Sequence, residues 1–243
     1  MPAAFAHGLY LQGNDNFVLG NDIHDNGVQG IRCSSGGSRD GGGHLIAYNQ
    51  IHNNGNETAI TNYLGGPPNG WAGSGFGFDT YANGGNLLIF GNVVHDNYAN
   101  GIYVVNDGTT VYAYADFIII ARNRVYNNGT SGRSNGHGII IGGNRFSSIF
   151  GNTVFDNLGA GIRIMSWGSQ YPVYDSIVNN KIFNTSSGHS QAYGIYDGGD
   201  VNVDYLLVAE NYLFNNGVNL SLAGPNNDIQ RLEMLQQTLV NLQ

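Results

Sequence analysis

The feature that most constrains this sequence is an asparagine that recurs seven times, each time followed two residues later by an aliphatic side chain. A polar turn such as Asp25-Asn26-Gly27 follows most of these asparagines. A glycine with an apolar residue, such as Gly30-Ile31, comes after the turn. Self-similarity of this size predicts a solenoid whose repeats stack on one another. The recurring asparagines are Asn21, Asn49, Asn92, Asn123, Asn152, Asn180 and Asn211.

Each repeat offers three short apolar runs, of which Phe17-Val18-Leu19 and Leu206-Leu207-Val208 are examples, with the β-branched and aromatic content of strands. Three strands and three turns make one coil of a parallel β-helix. An inward asparagine suits this fold, because its amide can donate to one neighbouring coil and accept from the other. The sequence therefore predicts an all-β, right-handed parallel β-helix of about seven or eight coils, in which the repeats share a template but carry insertions of different length.

The whole chain, 1–243, reads as a single domain, since no linker or change of composition interrupts the repeats. Asp228 precedes apolar residues with helical spacing, which predicts a short capping helix over 228–243. A trimer-forming coiled coil is the alternative for this segment. The apolar residues are Ile229, Leu232, Leu235, Leu239 and Leu242.

The net charge of −8 argues against a nucleic-acid partner, because no basic stripe is available to neutralise phosphates. Cys33 is the single cysteine and allows no internal disulfide. No signal peptide or transmembrane run is visible, so no membrane partner is expected, and a secreted or extracellular mature form is our expectation. The chain begins almost directly on a strand at His7. We therefore expect an upstream segment, or a homo-oligomer through this uncapped coil or the C-terminal helix.

Alignment of the coils on the glycine–apolar pair predicts which side chains point outward from that strand. The outward column is Tyr10, Arg32, Asp79, Tyr103, Ile140, Arg163 and Tyr196, with Tyr81 one outward step further. The residues just before the glycine are His7, Gln29, Phe76, Asn100, His137, Ala160 and Tyr193.

Aromatic rings stack on sugar faces and guanidinium groups bind carboxylates, so this column predicts a groove for an extended polysaccharide. Long insertions at 55–75, 106–116 and 129–136 flank its centre. The alternative is a solvated sheet face. The predicted substrate-binding residues are Arg32, Arg163, Tyr10, His7, Phe76, Trp71 and Tyr196.

Asp79, His137, Tyr81 and Tyr103 are the predicted catalytic residues of this face. Asp79 and His137 are placed two coils apart, about 10 Å by strand spacing, so that they bracket one sugar unit. A tyrosine or His137 supplies the base and acid, and Arg32 or Arg163 neutralises a carboxylate.

A second column begins with three histidines, His24, His52 and His95. It continues as Tyr126, Phe155, Phe183 and Phe214. This pattern favours an aromatic stack over a metal site. No metal site and no cofactor are predicted. Structural calcium is not indicated, because the calcium-binding nonapeptide repeats are lacking.

The whole chain resembles the pectate-lyase-like superfamily of right-handed parallel β-helices, most of which act on polysaccharides. Locally, Phe76-Gly77-Phe78-Asp79-Thr80-Tyr81 and the later His137 resemble the Tyr-Gly-Phe-Asp-Pro-His and His-Gly-Phe motifs of mannuronan C5-epimerases. In this resemblance the family's catalytic Tyr falls on Phe76 and its strand His on Tyr81. The resemblance implies proton abstraction at C5 of a uronate, followed by reprotonation in an epimerase or β-elimination in a lyase.

A weaker resemblance links Gly136-His137-Gly138 and Gly161-Ile162-Arg163 to the polygalacturonases, whose lysine would fall on Met165. An inverting hydrolase needs two carboxyl groups, whereas the outward column contains Asp79 alone. We therefore predict a C5-epimerase or lyase for an acidic polysaccharide such as alginate or pectate. The alternatives are a non-catalytic carbohydrate-binding or structural module, of the surface or phage-tail type, and a hydrolase that uses the loop acids Asp107, Asp116 or Asp197.

Overall fold

A computed structural model describes residues 7–34, 42–64, 72–80, 85–106, 115–129, 136–167, 170–185, 190–230 and 233–235. The strands, numbered in chain order, form three long parallel sheets of eight strands each. Successive strands of the chain pass from one sheet to the next, so each circuit makes one coil. The chain is a right-handed parallel β-helix, as the sequence predicts, and the described residues form eight coils.

Sheet 1 contains β1 (Leu9–Leu11), β4 (Ile31–Ser34), β7 (Phe76–Thr80), β10 (Ile102–Asn106), β14 (Ile139–Gly142), β18 (Ala160–Met165), β21 (Tyr193–Tyr196) and β24 (Val218–Ser221). Sheet 2 contains β2 (Phe17–Leu19), β5 (Leu45–Ala47), β8 (Leu88–Phe90), β12 (Ile119–Ala121), β16 (Ser148–Phe150), β19 (Ser176–Val178), β22 (Leu207–Ala209) and β25 (Asp228–Gln230). Sheet 3 contains β3 (Asp22–His24), β6 (Gln50–His52), β9 (Val93–His95), β13 (Arg124–Tyr126), β17 (Thr153–Phe155), β20 (Lys181–Phe183), β23 (Tyr212–Phe214) and β26 (Glu233–Leu235). The short strands β11 (Ala115–Asp116) and β15 (Asn144–Arg145) form a separate pair.

The core runs along the axis and is built from the central residues of the strands in sheets 2 and 3 and from alternate residues of the longer strands in sheet 1. Ile120, for example, pairs with Ile89 and Ile149 in the neighbouring coils, and all three are buried. Because the strands of the three long sheets are only three to six residues long, each coil buries few side chains. Stability therefore depends on stacking between coils, as in other solenoids.

The asparagine ladder predicted from the sequence is confirmed. Nδ2 of each asparagine donates to Oδ1 of the next, at 2.9 to 3.1 Å along all seven members. The backbone N–H of each donor residue also bonds to the same oxygen, as from Asn92 to Asn123 at 2.9 Å. From Asn49 onward these amides are buried, so the ladder satisfies polar groups that would otherwise be costly.

A second amide ladder stands five residues further along the coil. Its amides are joined at 2.6 to 3.3 Å. Gln191 takes the asparagine's place in one coil, where the residue at the usual spacing is Thr185, which instead donates to Asp156. The members are Asn26, Asn54, Asn97, Asn128, Asn157, Gln191 and Asn216.

A helix, α1 (Glu57–Leu64), lies in the longest insertion, which the sequence pattern had indicated only as a loop. Asn56 caps it, because its Oδ1 accepts the backbone N–H of Ala59 at 2.8 Å. Ile60 packs with Val28 and Ala72 in a small apolar cluster against the coil.

The predicted capping helix over 228–243 is wrong where the structure describes that segment. Asp228–Gln230 and Glu233–Leu235 are strands β25 and β26. Ile229 pairs with Val208, and Met234 pairs with Leu213, so the two segments add a further strand to sheet 2 and to sheet 3. In the described part of the chain, no helix has the length and apolar character required to cross a membrane.

Candidate functional site

The outer face of sheet 1 carries the predicted groove, but its register differs from the sequence alignment in one coil. Gly77, and not Asp79, pairs with Arg32 on one side and Tyr103 on the other. Asp79 pairs with Ser34 and Val105, two residues further along the strand. The glycine that matches Gly30 and Gly101 is therefore Gly75.

Phe76 is not a substrate-binding residue, because its side chain is fully buried in the axial core. It occupies the inward position of Ile31 and Ile102, with which it pairs. The residue before the glycine in this coil is Ser74. Its Oγ lies 3.5 Å from Nδ2 of Asn100.

Tyr103 lies in the outward column as predicted, but it is only 4 % exposed. It belongs to an apolar cluster with Val105 and Ile140, against which Met165 and Trp167 pack. The ring of Tyr103 is therefore enclosed by apolar side chains, and a ligand on this face can reach little of it.

His137 and Arg163 come together on adjacent coils. Nη1 of Arg163 lies 3.2 Å from Nε2 of His137, and the backbone N–H of Ala160 donates to Nδ1 of the same ring at 2.8 Å. The backbone N–H of His137 in turn donates to Oδ1 of Asn100 at 3.0 Å. The Ala160 N–H thus holds the ring of His137, and the Asn100 side chain holds the backbone that carries it.

The protonation state of His137 follows from these contacts. Burial, and next the positive charge of Arg163, lower the pKa of His137 to about 3, so the imidazole is neutral. An amide N–H can only donate, so Nδ1 carries no proton and the neutral ring carries it on Nε2. Nε2–H and the guanidinium of Arg163 are then two donors that face each other. Nε of Arg163 is also buried, and no described residue accepts from it.

His7 and Arg32 occupy the corresponding positions in the first two coils. Nδ1 of His7 accepts the backbone N–H of Gln29 at 3.3 Å. Burial and then Arg32 lower the pKa of His7 to about 4. Arg32 is buried, bonds to Oε1 of Gln29 at 3.4 Å and lies 6.0 Å from the ring centre of Tyr10. Arg32 is therefore held within the protein more tightly than Arg163.

Tyr196 pairs with Arg163 on the next coil. It is half-buried, and its ring stacks on that of Tyr193 with centroids 4.1 Å apart. At the other end of the column Tyr10 is 48 % exposed. The tyrosines that can meet a ligand are therefore those at the two ends of the column.

Asp79 and His137 do not bracket one sugar. They are separated by two strand spacings, about 10 Å, and by five residues along the strand, about 16 Å. The side chain of Asp79 is not described, and Tyr81 and Trp71 lie outside the described residues.

Two of the loop acids named for a hydrolase have structural roles. Asp116 forms a two-bond ion pair with Arg145, at 2.9 and 2.7 Å. Asp197 is buried and accepts the backbone N–H groups of Gly199 and Ala223. Asp107 lies outside the described residues.

The histidine column is an aromatic stack, as predicted. Its rings from His24 to Phe214 follow at 4.7 to 5.0 Å with interplanar angles of 3 to 9°. Each histidine is paired with an aspartate, for example His95 with Asp96 at 2.6 Å.

Fold and sequence together define the class: the chain is a right-handed parallel β-helix, and the profile described as "Right handed beta helix region" matches residues 6–118. Among solved structures it is similar to the periplasmic alginate epimerase AlgG, with 23% identity, a TM-score of 0.64, and coverage of 94% of this chain and 47% of that one. It is also similar to the A-module of the Azotobacter vinelandii mannuronan C-5 epimerase AlgE4, with 17% identity, a TM-score of 0.60, and coverage of 91% and 58%.

The predicted resemblance to β-helices, alginate epimerases among them, is thus confirmed at the level of the fold. The chain spans about half the length of these solved structures. No curated protein sequence matches it.

Proposed function

We propose that the outer face of sheet 1 binds an acidic polysaccharide and that His137 and Arg163 receive one of its carboxylates. The observation that carries this proposal is the 3.2 Å approach of two donors, Nε2–H of His137 and Nη1 of Arg163. Two donors that face each other repel, whereas a carboxylate between them accepts from both. Arg163 is only partly buried, so a ligand can reach it.

The chemistry proposed for this carboxylate is proton abstraction at C5 of the uronate. A base removes the C5 proton, and the electron pair spreads into the carboxylate, whose charge Arg163 and the neutral His137 stabilise. In an epimerase the proton returns to the opposite face of C5. In a lyase the electron pair forms the C4–C5 double bond, and the glycosidic oxygen leaves C4 and takes up a proton. The names of the similar structures, alginate and mannuronan C5-epimerases, support this choice of substrate and reaction.

His137 is not the base in this proposal, because its Nδ1 is occupied by the Ala160 N–H and its Nε2 holds a proton. Tyr196 is the described tyrosine next to Arg163, and we assign the base to it. Asp79 and Tyr81 remain candidates on the epimerase resemblance alone. A periplasmic or extracellular location fits this function, since AlgG is described as periplasmic.

Binding and turnover of polymannuronate and polygalacturonate test the proposal. Arg163→Gln should weaken binding between about 10- and 100-fold, the effect of one charge-assisted hydrogen bond. Arg124→Gln is the matched control, because Arg124 lies on the outer face of sheet 3 against Tyr126 and Phe155. Equal effects of the two variants would refute the carboxylate site.

Turnover is measured by two signals. Absorbance of unsaturated uronate ends indicates a lyase, and exchange of the C5 proton with deuterium, followed by NMR, indicates an epimerase. Tyr196→Phe should abolish either signal while binding is retained.

A non-catalytic carbohydrate-binding module is the second candidate. Because His137 cannot exchange protons in its observed contacts, catalysis among the described residues depends on Tyr196, and without a base there the same face binds a polysaccharide and leaves it unchanged. Binding that depends on Arg163 together with silence in both turnover assays would select this function.

A further inference from the structure

The turn that follows β21 approaches the guanidinium of Arg163. A Cβ at Gly198 would stand 3.7 Å from Nη2 of Arg163, so the backbone of this turn borders the carboxylate site. Gly198 belongs to the coil after Arg163, whereas His137 belongs to the coil before it. The guanidinium therefore has His137 as one neighbour and the turn as another.

The turn consists of residues 197–200 and has two glycines at its centre. The backbone N–H of Asp200 donates to the carbonyl of Asp197 at 3.2 Å. Gly198 and Gly199 have φ angles of 75° and 72°, and positive φ at both central residues is typical of a type I′ turn. Asparagine also accepts such turns, so the turn by itself does not require glycine at both positions.

Hydrogen bonds to both neighbouring coils hold the 197–200 turn in place. The buried carboxylate of Asp197 accepts the backbone N–H of Ala223 in the following coil. The carboxylate of Asp200 accepts the backbone N–H of Ser166 in the preceding coil at 2.9 Å. Hydrogen bonds to carboxylates are among the strong ones, so the position of the turn beside Arg163 is fixed.

The guanidinium of Arg163 presents one edge to a ligand. Its other edge includes Nε, which is buried. Of the two remaining nitrogens, Nη1 lies 3.2 Å from Nε2 of His137, and Nη2 lies next to Gly198. A carboxylate that arrives from solvent therefore meets the edge formed by Nη1 and Nη2. Two parallel hydrogen bonds along such an edge are the pairing that guanidinium and carboxylate groups favour.

We propose that the 197–200 turn is a wall of the carboxylate site and that glycine at position 198 keeps Nη2 of Arg163 open, so that a free uronate carboxylate binds with both oxygens. This inference rests on the proposed function of the outer face of sheet 1. One carboxylate oxygen accepts from Nη1 and from Nε2–H of His137. The other oxygen accepts from Nη2, on the side of the guanidinium that the turn borders.

The space beside Nη2 explains why a side chain at position 198 is unfavourable for binding. An oxygen that accepts from Nη2 lies about 2.9 Å from that nitrogen. A Cβ at position 198 would lie 3.7 Å from the same nitrogen, so the oxygen and the carbon would collide on the side that faces the turn. A Cβ at Gly199 would meet no described atom within 4 Å. The two glycines of the turn therefore differ in what they leave open.

The ligand that suits these three donors is an unesterified uronate. A carboxylate has two charged oxygens, and each of them accepts strong hydrogen bonds. A methyl ester is neutral and keeps only its carbonyl oxygen as a good acceptor, so it cannot pair with Nη1 and Nη2 together. The site should therefore distinguish polygalacturonate from its methyl ester, although both polymers have the same sugar ring and linkage.

Isothermal titration calorimetry with polygalacturonate tests the wall. Gly198→Ala should weaken binding about tenfold, the effect of one hydrogen bond to a charged group. Gly199→Ala is the matched control in the same turn, and its affinity should stay within about twofold of the wild type. Both variants place alanine at positive φ, so thermal melting should show equal losses of stability. If Gly198→Ala does not fold, Gly198→Asn and Gly199→Asn replace the pair, since asparagine tolerates positive φ.

Two further measurements separate the wall from the proposed function. In the Arg163→Gln background, Gly198→Ala should change affinity by no more than about twofold, because it acts through Nη2. The wild type should bind the methyl ester at least about tenfold more weakly than polygalacturonate. Equal losses in Gly198→Ala and Gly199→Ala, additive losses with Arg163→Gln, or equal affinity for the ester would each overturn this inference. If Arg163→Gln alone binds as the wild type does, the proposed function itself fails.

Discussion

The backbone N–H of Ala160 donates to Nδ1 of His137 over 2.8 Å, and this contact decides what His137 can do. It fixes the ring, selects the tautomer and turns Nε2–H toward Arg163. Histidine is a common acid or base, but in these contacts His137 is a neutral hydrogen-bond donor. Function at this position depends on the neighbouring coil as much as on the residue itself.

Gly159→Ala should displace His137. A Cβ at Gly159 would stand 2.6 Å from Nδ1 of His137, too close for any real contact, while the backbone of Gly159 itself is not in the left-handed region. We expect polyuronate binding to weaken by about as much as in His137→Ala, because both lose the same donor. Isothermal titration calorimetry of both single variants and the double variant measures this coupling. In the His137→Ala background, Gly159→Ala should change binding little, and additive losses would contradict the contact.

Acid should destabilise the protein through His137. The pKa of its imidazole is lowered from 6.5 to about 3 by burial and by Arg163, so the unfolded chain takes up a proton that the folded chain refuses. Protonation of His137 therefore costs no stability above about pH 6.5. Below that pH the free energy of unfolding falls, by up to about 1.4 kcal/mol per pH unit for this group, until about pH 3. Urea unfolding at several pH values across that window measures this loss. The free energy of unfolding should fall less steeply with decreasing pH in His137→Gln than in the wild type.

His24→Gln provides the control of opposite sign. The hydrogen bond that the His24 ring donates to the Asp25 carboxylate raises the pKa of His24, so its contribution to stability is present at low pH and is lost as pH rises. If the free energy of unfolding falls as steeply with decreasing pH in His137→Gln as in the wild type, the His137 ring takes up its proton in the folded protein as readily as in the unfolded chain.

Alkaline pH should weaken the fold through Asp175. Burial raises the pKa of this carboxyl from 3.8 to about 8, while the Ser147 N–H opposes that shift. Stability is then complete below about pH 4 and is lost as pH rises toward 8, by at most about 1.4 kcal/mol per unit. Asp175→Asn should remove this loss and be more stable than the wild type at pH 9 by urea unfolding.

Asp204→Asn is the matched control for that substitution. Asp204 is only partly buried, and the hydrogen bond that it accepts from Asn226 lowers the pKa of its carboxyl, so the substitution should gain nothing at high pH. If neither Asp175→Asn nor Asp204→Asn raises the free energy of unfolding at pH 9, Asp175 ionises in the folded chain as readily as in the unfolded one.

The fold was predictable because its strongest determinant, the asparagine ladder, recurs in the sequence with the same local pattern in each repeat. The second ladder was missed although its signal is present: Asn26, Asn54 and Asn97 each follow a ladder asparagine by five residues. The register error at Asp79 has a physical cause. Gly75-Phe76 and Gly77-Phe78 are both glycine–apolar pairs, and a shift of two residues keeps the same side chains inward. Only the stacking of coils distinguishes them.

The site was predictable in part for the same reason. The repeat determines that Arg163 and Tyr196 lie in one outward column, where their strands pair, and that His137 stands beside this column, where it contacts Arg163. The burial of Tyr103 and the protonation of His137 depend on contacts between coils that a repeat does not encode. The helical spacing of Leu232 and Leu235 misled for a similar reason, since pairing with β23 places Leu235 opposite Phe214 in a strand.

Asn123→Ala tests whether the ladder stabilises each coil. Its Oδ1 accepts the backbone N–H and the Nδ2 of Asn92, and its Nδ2 donates to Asn152 and to the carbonyl of Ile89. The substitution leaves several buried partners unsatisfied, at about 1–3 kcal/mol each, so urea unfolding should show a loss of roughly 3 kcal/mol or more. Gln50→Ala, on the exposed face of sheet 3, should stay within about 0.5 kcal/mol of the wild type. A loss at Asn123 no larger than at Gln50 would mean that apolar stacking alone holds the coils together.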